Sequence, residues 1–202
     1  RCTRSSYQEV GGRLMTRSKI RTSGAEGLTL SSTSLTVANG LTMTDGNIAF
    51  ANGHGLDFAS ASGDASGMAA EVFNDYEEGS FTPRFDGGST TGSGSYSSVT
   101  GKYIRIGHMV HITIAFGMSS HSGSGTAQLR GLPFTVGGSA EYTGSVMLNN
   151  YNLSSNSTWV VLYANTGNDY LRLYGSEDNG TWAAQDLDTV SSIIGSFTYF
   201  IN

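Results

Sequence analysis

Short apolar pairs recur along residues 28–58, and one small or polar residue separates the two members of each pair. The pairs are Leu28 and Leu30, Leu35 and Val37, Leu41 and Met43, Ile48 and Phe50, and Leu56 and Phe58. Turn-forming segments such as Asn39-Gly40 and Asp45-Gly46 stand between them, and these dipeptides tolerate the positive φ angles of tight reversals. A spacing of two places both side chains of a pair on one face of a strand. The pattern therefore predicts a series of very short strands.

A strand with two apolar side chains cannot bury its face or pair its backbone edges alone. Stacked rungs of a solenoid would solve this, as would several identical chains wound around an axis. The small number of repeats without helical caps favours the second arrangement. We predict an intertwined, homotrimeric β-stem over residues 28–58, with the ten paired side chains facing the trimer axis. The alternative is a β-meander that packs on the following domain.

A joint is predicted at residues 59–78. Its first part, from Ala59 to Gly67, has the small and polar composition of a flexible segment. The apolar positions that follow share one face of a helix: Met68, Ala69, Val72, Phe73 and Tyr76. The pattern therefore predicts one short helix in the joint.

Residues 79–202 alternate between apolar strand patterns and loops rich in Gly, Ser and Asn. The predicted strands are Ser80–Phe85, Ser95–Ile106, Met109–Met118, Thr126–Gly131, Tyr142–Leu148, Thr158–Ala164, Tyr170–Tyr174 and Ser192–Ile201. Gly107-His108 predicts a two-residue hairpin turn. The last strand is apolar on both faces, which is typical of a strand covered by its own domain and by a neighbouring subunit. The spacing predicts a β-sandwich or jelly-roll-like head.

Four motifs occur in order along the chain: NGHGLDF at Asn52–Phe58, NDYEEGSFTP at Asn74–Pro83, YSSVTGKYIRIGHMVH at Tyr96–His111, and LRGLPF at Leu129–Phe134. With these motifs the chain resembles the C-terminal region of tail fibres and related structural proteins of tailed bacteriophages, notably marine and cyanobacterial ones. The resemblance covers roughly residues 28–136 and is strongest over 74–134. It implies a trimer with a slender stem and a globular head, located in the virion.

Composition agrees with short strands and tight turns. Only 38% of the residues are hydrophobic and 13% are charged, with 28 glycines and a net charge of −5, so part of the burial is expected to come from partner chains. Residues 1–27 read as a basic connector, because six basic residues and one acidic residue stand in the first 21 positions. We interpret this segment as solvated or as docking onto other virion proteins, rather than as binding nucleic acid. No apolar run is long enough to predict membrane insertion, and the single Cys2 excludes an internal disulfide.

No residue pattern predicts catalysis or a cofactor. Motifs for nucleophilic, phosphate or metal chemistry do not occur in the sequence. The acidic cluster of Glu71, Asp75, Glu77 and Glu78 is interpreted as solvated or inter-subunit. His54 is interpreted as a turn residue that faces water, and the alternative is a metal site where three copies meet on the trimer axis. We therefore predict a protein that is not an enzyme.

Loop aromatics are the best candidates for recognition. Adaptable polar loops beside rigid rings suit weak binding of surfaces, which a trimer multiplies through avidity. We predict that Tyr151, Asp169, Tyr170 and Trp182 contribute to a receptor-binding surface, whereas Trp159, Tyr163 and Tyr174 belong to the core. The expected receptor is a polysaccharide or a protein on the host surface.

The prediction for the whole chain is the distal, receptor-binding part of a phage tail fibre that attaches the virion to its host. The alternative is a purely structural virion protein such as a head fibre, a decoration protein or a tail adaptor. A polysaccharide-degrading tailspike is less favoured, because the chain is short and its sequence indicates no catalytic cleft.

Overall fold

The computed structural model describes residues 28–30, 35–37, 41–42, 47–51, 54–57, 72–73, 75–154 and 156–202. Within these ranges the regular secondary structure is all β, as predicted. The chain divides into two compact units, Arg1–Ala49 and Phe50–Asn202. The predicted connector at residues 1–27 lies outside the described residues.

The strands run in chain order as follows: β1 Leu28–Leu30, β2 Leu35–Val37, β3 Leu56–Asp57, β4 Val72–Phe73, β5 Glu77–Phe81, β6 Arg84–Gly87, β7 Gly94–Ile106, β8 Met109–His121, β9 Ala127–Arg130, β10 Glu141–Asn149, β11 Trp159–Asn165, β12 Tyr170–Ser176, β13 Ala183–Ala184 and β14 Val190–Phe200.

The first two apolar pairs of the repeat form an antiparallel hairpin within the chain. Leu28 lies opposite Val37, and Leu30 lies opposite Leu35. The sequence also predicts strands at the third and fourth pairs, but Leu41 and Ile48–Phe50 belong to no strand. The intertwined stem and its trimer stay predictions.

The predicted helix is wrong at Val72 and Phe73, which form β4 and pair with Leu56–Asp57 of β3. A β-branched residue followed by an aromatic one favours extended backbone, and β3 satisfies its hydrogen bonds. Met68 and Ala69 lie outside the described residues, and Tyr76 is exposed outside any strand.

One antiparallel sheet holds the remaining strands, in the order β5-β7-β8-β14-β10-β11-β12-β9-β6, with β13 paired to β12. Strand β10 divides the sheet into two halves. Its residues Glu141–Gly144 pair with β11, and its residues Ser145–Asn149 pair with β14. We call β5, β7, β8 and β14 the first half, and β6, β9, β11, β12 and β13 the second half.

The sheet curls so that the inner faces of its two halves share one core. Val110, Ile112, Ile114 and Phe116 alternate along β8 as predicted, and all four are buried. The ring of Phe116 meets Phe85 of β6 edge to face, with centroids 5.3 Å apart. The hydroxyl of Tyr96 on β7 donates to the Phe85 carbonyl at 2.6 Å. These contacts join the first half to the far edge of the second half. The finer prediction of a sandwich or jelly roll stays a prediction.

Most predicted strands of the head are present with small shifts at their ends. Gly107 has φ +55° in the two-residue turn between Ile106 and Met109, which pair as predicted. The predicted single strand Ser80–Phe85 is wrong: it divides into β5 and β6 around Thr82-Pro83. Proline has no N–H for the sheet ladder, and this ends β5 before Pro83.

Candidate functional site

Three aromatic rings form a cluster on the outer face of the second half. Tyr163 of β11 and Tyr174 of β12 have centroids 4.6 Å apart. Trp182 stands two residues before Ala184 of β13, which pairs with Tyr174. The centroid of its ring lies 5.6 Å from that of Tyr163 and 5.3 Å from that of Tyr174. Trp182 is 53% exposed, whereas Tyr163 is buried. The ring cluster therefore has a fixed base and a tryptophan open to solvent.

A hydrogen bond fixes the base of the cluster. The Tyr163 hydroxyl donates to the Oε1 of Glu141, on the neighbouring strand β10, at 2.5 Å. Burial and this carboxylate together raise the pKa of Tyr163 to about 12. The phenol is therefore protonated at neutral pH, and its hydroxyl is committed to Glu141.

A charged row lies beside the cluster on the same outer face. Asp86 of β6 is buried and accepts from the Nε of Arg84 at 3.0 Å. The Nε of Arg130 on β9 lies 3.6 Å from the Oδ2 of Asp86, and its Nη1 lies 3.1 Å from the Oδ1 of Asp169. The Arg130 guanidinium also stacks 4.7 Å from the centroid of the Tyr170 ring. Charge pairs and cation–π contacts therefore hold Tyr170 and Asp169 in place.

Arg172 connects the charged row to the ring cluster. It lies between Tyr170 and Tyr174 along β12 and opposite Tyr163 of β11. Its Nη2 donates to the Tyr170 hydroxyl at 2.8 Å, and its guanidinium lies 5.2 Å from the centroid of that ring. Its Nε is buried and has no hydrogen-bond partner among the described residues. We call Arg130, Tyr170, Arg172 and the ring cluster the aromatic face.

Three of the four predicted receptor-binding residues lie on or beside this face. Tyr170 and Trp182 belong to it, and Asp169 is bound to Arg130. Tyr151 is different: it packs against the hydrophobic core, and its hydroxyl donates to the backbone carbonyl of Asp186. Burial raises its pKa, with smaller contributions from Asp188 and Asp186. Tyr151 therefore holds two loops together.

Sequence reasoning missed the two arginines and misplaced three aromatic residues, Tyr151, Tyr174 and Trp159. The signal for Arg172 was present, because Tyr170, Arg172 and Tyr174 alternate at a spacing of two and must share one strand face. Tyr163 is buried as predicted, but Tyr174 belongs to the outer ring cluster. Trp159 was predicted to be core and is 46% exposed, because it lies on the outward side of β11.

A second surface, the apolar face, covers the outside of the first half and the adjoining part of β10. Its large exposed side chains are Ile104, Met109, Met147, Ile194 and Phe200. The register brings them into contact range across strands: Met147 lies opposite Ile194, and Phe200 lies opposite Met109. Along β14, Ile193, Phe197 and Tyr199 are buried whereas Ile194 and Phe200 are exposed. The predicted two-sided character of the last strand is therefore present, with its outer side open.

The predicted trimer-axis residues fall into three groups. Leu41, Ile48, Phe50 and Leu56 are exposed. Leu28, Leu30, Leu35 and Val37 lie in β1 and β2, while Met43 and Phe58 lie outside the described residues. The position of all ten on a trimer axis stays a prediction.

His54 is exposed, and its backbone N–H donates to the carbonyl of Ala51 at 3.0 Å. Among the described residues, no group of three or more His, Cys, Asp or Glu side chains is arranged to hold a metal ion. Within the same residues, no helix has the length and apolar character needed to cross a membrane.

No protein-family model and no curated protein matches this chain. Among solved structures, the chain is similar to the Dettilon tailspike protein, with 25% sequence identity and a TM-score of 0.47. The match covers 62% of this chain and 24% of the tailspike. The chain therefore spans about a quarter of the length of the protein that it matches.

Proposed function

We propose that this chain is the receptor-binding end of a phage tail fibre and that its aromatic face binds a polysaccharide of the host surface. The observation that carries the proposal is the ring cluster, in which an exposed tryptophan rests on two supported tyrosines. The motifs over residues 74–134 that resemble tail fibres support a location in the virion.

The chemistry of the aromatic face suits sugars. A pyranose ring has an apolar surface of C–H groups that packs on the flat side of an indole such as Trp182. Its hydroxyls need donors and acceptors, and Arg130 and Asp169 carry both on the same face, at the Tyr170 end of β12. Because Tyr163 and Tyr174 already hold Trp182 in place, little side-chain entropy is lost on binding.

We propose that the protein acts as a homotrimer in which the apolar face lies between subunits. The exposed Ile, Met and Phe side chains lie in two groups, separated along β14 by Ser196 and Thr198, and both groups are costly to leave in water. Burial against a second and third copy removes that cost and also fixes three aromatic faces in one particle. Weak sugar sites gain strength when three of them bind the same surface.

We propose binding without catalysis. Glycosidases require two carboxyl groups that act together across the scissile bond. The carboxylates on this side of the sheet have other partners: Asp86 and Asp169 pair with arginines, and Glu141 accepts from Tyr163. These contacts therefore favour binding of a sugar over cleavage of a glycosidic bond.

The apolar face by itself favours a second candidate, a purely structural virion protein such as a head fibre or tail adaptor. That function needs association but no sugar site. Locating the chain in intact virions by antibody labelling and electron microscopy distinguishes the two. A position on the capsid or at an internal joint of the tail contradicts the receptor-binding proposal.

The sugar site is tested with the full chain on an array of purified bacterial lipopolysaccharides and capsular polysaccharides. We expect at least one polysaccharide to bind, and Trp182→Ala to weaken that binding by about tenfold or more through loss of the stacking platform. Trp159→Ala is the matched control, because it removes an exposed tryptophan outside the ring cluster. The proposal fails if no polysaccharide binds, or if Trp182→Ala binds as well as the unmodified protein.

A further inference from the structure

We infer that the sugar bound by the aromatic face is acidic, and that Arg172 binds its anionic group while the ring beside that group packs on Trp182. This inference rests on the proposed function and adds the ligand class. The shared chemistry is a pyranose that carries a carboxylate or a phosphate.

Arg172 differs from the other arginines in the described part of the chain. Arg84, Arg105 and Arg130 each form an ion pair with an aspartate. Arg172 forms none with any described residue, and its observed polar contact is with the hydroxyl of Tyr170. Its positive charge is therefore not compensated by a carboxylate of its own.

The position of Arg172 suits a ligand that stacks on an aromatic ring and forms an ion pair with the guanidinium at the same time. Alternate residues on a strand share one face and their Cα atoms lie about 7 Å apart, so Arg172 and Tyr174 are neighbours on the outer face of β12. Tyr174 is in turn in contact with Trp182. A pyranose on the indole can therefore direct a substituent towards Arg172. The flat guanidinium can then bind both oxygens of a carboxylate or phosphate.

Local electrostatics support an anion at this point. The nearby carboxylates are already engaged, Asp169 by Arg130 and Glu141 by the Tyr163 hydroxyl. Aromatic rings flank Arg172 and reduce the access of water, which strengthens its pairing with an anion. The chain as a whole carries a net charge of −5, so attraction of an acidic polymer must come from a local cation.

The test uses the full chain and a panel of capsular polysaccharides that contain hexuronic acids, each paired with its carboxyl-reduced derivative. A second arm pairs phosphate-containing polysaccharides with their dephosphorylated forms. We expect binding to fall about tenfold or more when the responsible anionic group is removed. The arm in which this loss occurs identifies the anion.

Arg172→Gln should weaken binding of the acidic polymer by the same factor and should not weaken binding of the neutral polymer further. Arg172→Lys keeps the charge without the planar fork and should recover part of the affinity. Lys102→Gln, on the first half of the sheet, is the control for removal of one positive charge. Circular dichroism and thermal midpoints establish that each variant is folded.

Two results overturn the inference. One is equal binding of the acidic and neutral forms, and the other is an Arg172→Gln variant that is folded and binds the acidic form normally. In both cases a loss with Trp182→Ala leaves the proposed function standing. Absence of binding to every polymer, acidic or neutral, overturns the inference and the proposed function together.

Discussion

Tyrosine hydroxyls act as fixed donors at both faces of the sheet. Tyr163 donates to Glu141 on the outer face, and Tyr199 donates to the carbonyl of Phe134 at 3.0 Å inside the molecule. Burial raises the pKa of both phenols above the ordinary value of 10.0. Each hydroxyl is therefore bound in its protonated form, and folding is coupled to that proton.

The coupling predicts a loss of stability in alkali. An unfolded tyrosine ionises near pH 10.0, whereas Tyr163 in the folded protein does so at about 12. Between these values the unfolded state has released a proton that the folded state retains, so the free energy of unfolding falls as pH rises. Below pH 10 this contribution to stability is fully present.

Thermal midpoints measured by circular dichroism between pH 8 and pH 11 test this prediction, since that range spans the onset of tyrosine ionisation. The midpoint should fall towards the alkaline end, and less steeply in Tyr163→Phe, which has no phenolic proton at that position. An equal slope for the variant and the unmodified protein would show that Tyr163 does not carry the effect.

At the scale of single residues, a loop context predicted the exposure of Trp182 and Asp169 but misplaced Tyr151, which packs against the core. Trp182 and Asp169 stand among glycine and asparagine and were placed on the surface. Trp159 was assigned to the core on residue type alone, and the structure exposes it. Which side of β11 faces outward depends on its pairing with β10 and β12, and these partners are distant in the chain.

At the scale of elements, β10 changes partners at one point. Gly144 is the last residue paired with β11, and Ser145 is the first paired with β14. A Cβ placed on Gly144 would lie 2.4 Å from the backbone oxygen of Ser196 and 2.6 Å from the Phe197 ring. This close approach requires glycine where the strand moves from one half of the sheet to the other.

Gly144→Ala should therefore destabilise the protein by about 1–3 kcal/mol, since backbone and a core ring must shift to admit the methyl group. Urea unfolding followed by tryptophan fluorescence measures the loss. Thr143→Ala is the control at the exposed neighbouring position. An unchanged midpoint for Gly144→Ala would mean that the crossing tolerates a side chain.

Alternation of apolar residues was enough to predict β8 and the turn before it. It was not enough to separate β5 from β6 or to exclude the helix at Val72 and Phe73. A run of two apolar residues fits a helix face and a short strand equally, and only the distant partner Leu56–Asp57 decides between them.

At the scale of the whole molecule, the apolar face should be the contact between subunits. We expect the protein to sediment as a species of three times the chain mass of 21.2 kDa. Ile194→Glu introduces a charge at the exposed Ile194–Met147 pair of this face and should shift the protein towards the monomer, because an unpaired carboxylate is costly to bury. Analytical ultracentrifugation measures both masses.

Asn165→Glu, at the end of β11 on the second half, adds the same charge away from the apolar face and should leave the mass unchanged. A monomeric unmodified protein would contradict the proposed assembly. An Ile194→Glu variant that stays fully associated would place the subunit contact elsewhere.

The all-β class and the positions of most strands along the chain followed from the sequence, since both depend on local alternation and turn residues. The curl did not follow from it. Closure depends on the contact of Phe85 with Phe116 across the core. These residues lie on β6 and β8, and no local sequence pattern predicts that these two strands meet. The division of the outer surface into an aromatic and an apolar face depends on the same closure.

The change of partners within β10 also decides how the molecule carries mechanical load. Under the proposed function, flow pulls on the adsorbed particle, and the tension would enter at the aromatic face and leave through the proposed subunit contact. Within the sheet that tension crosses the nine residues of Glu141–Asn149, whose two ends are hydrogen-bonded to opposite halves. Rupture between the halves must break the hydrogen bonds of this strand as well as the core contacts between Phe85, Phe116 and Tyr96, so under the proposed function β10 is the expected tether of the attached particle.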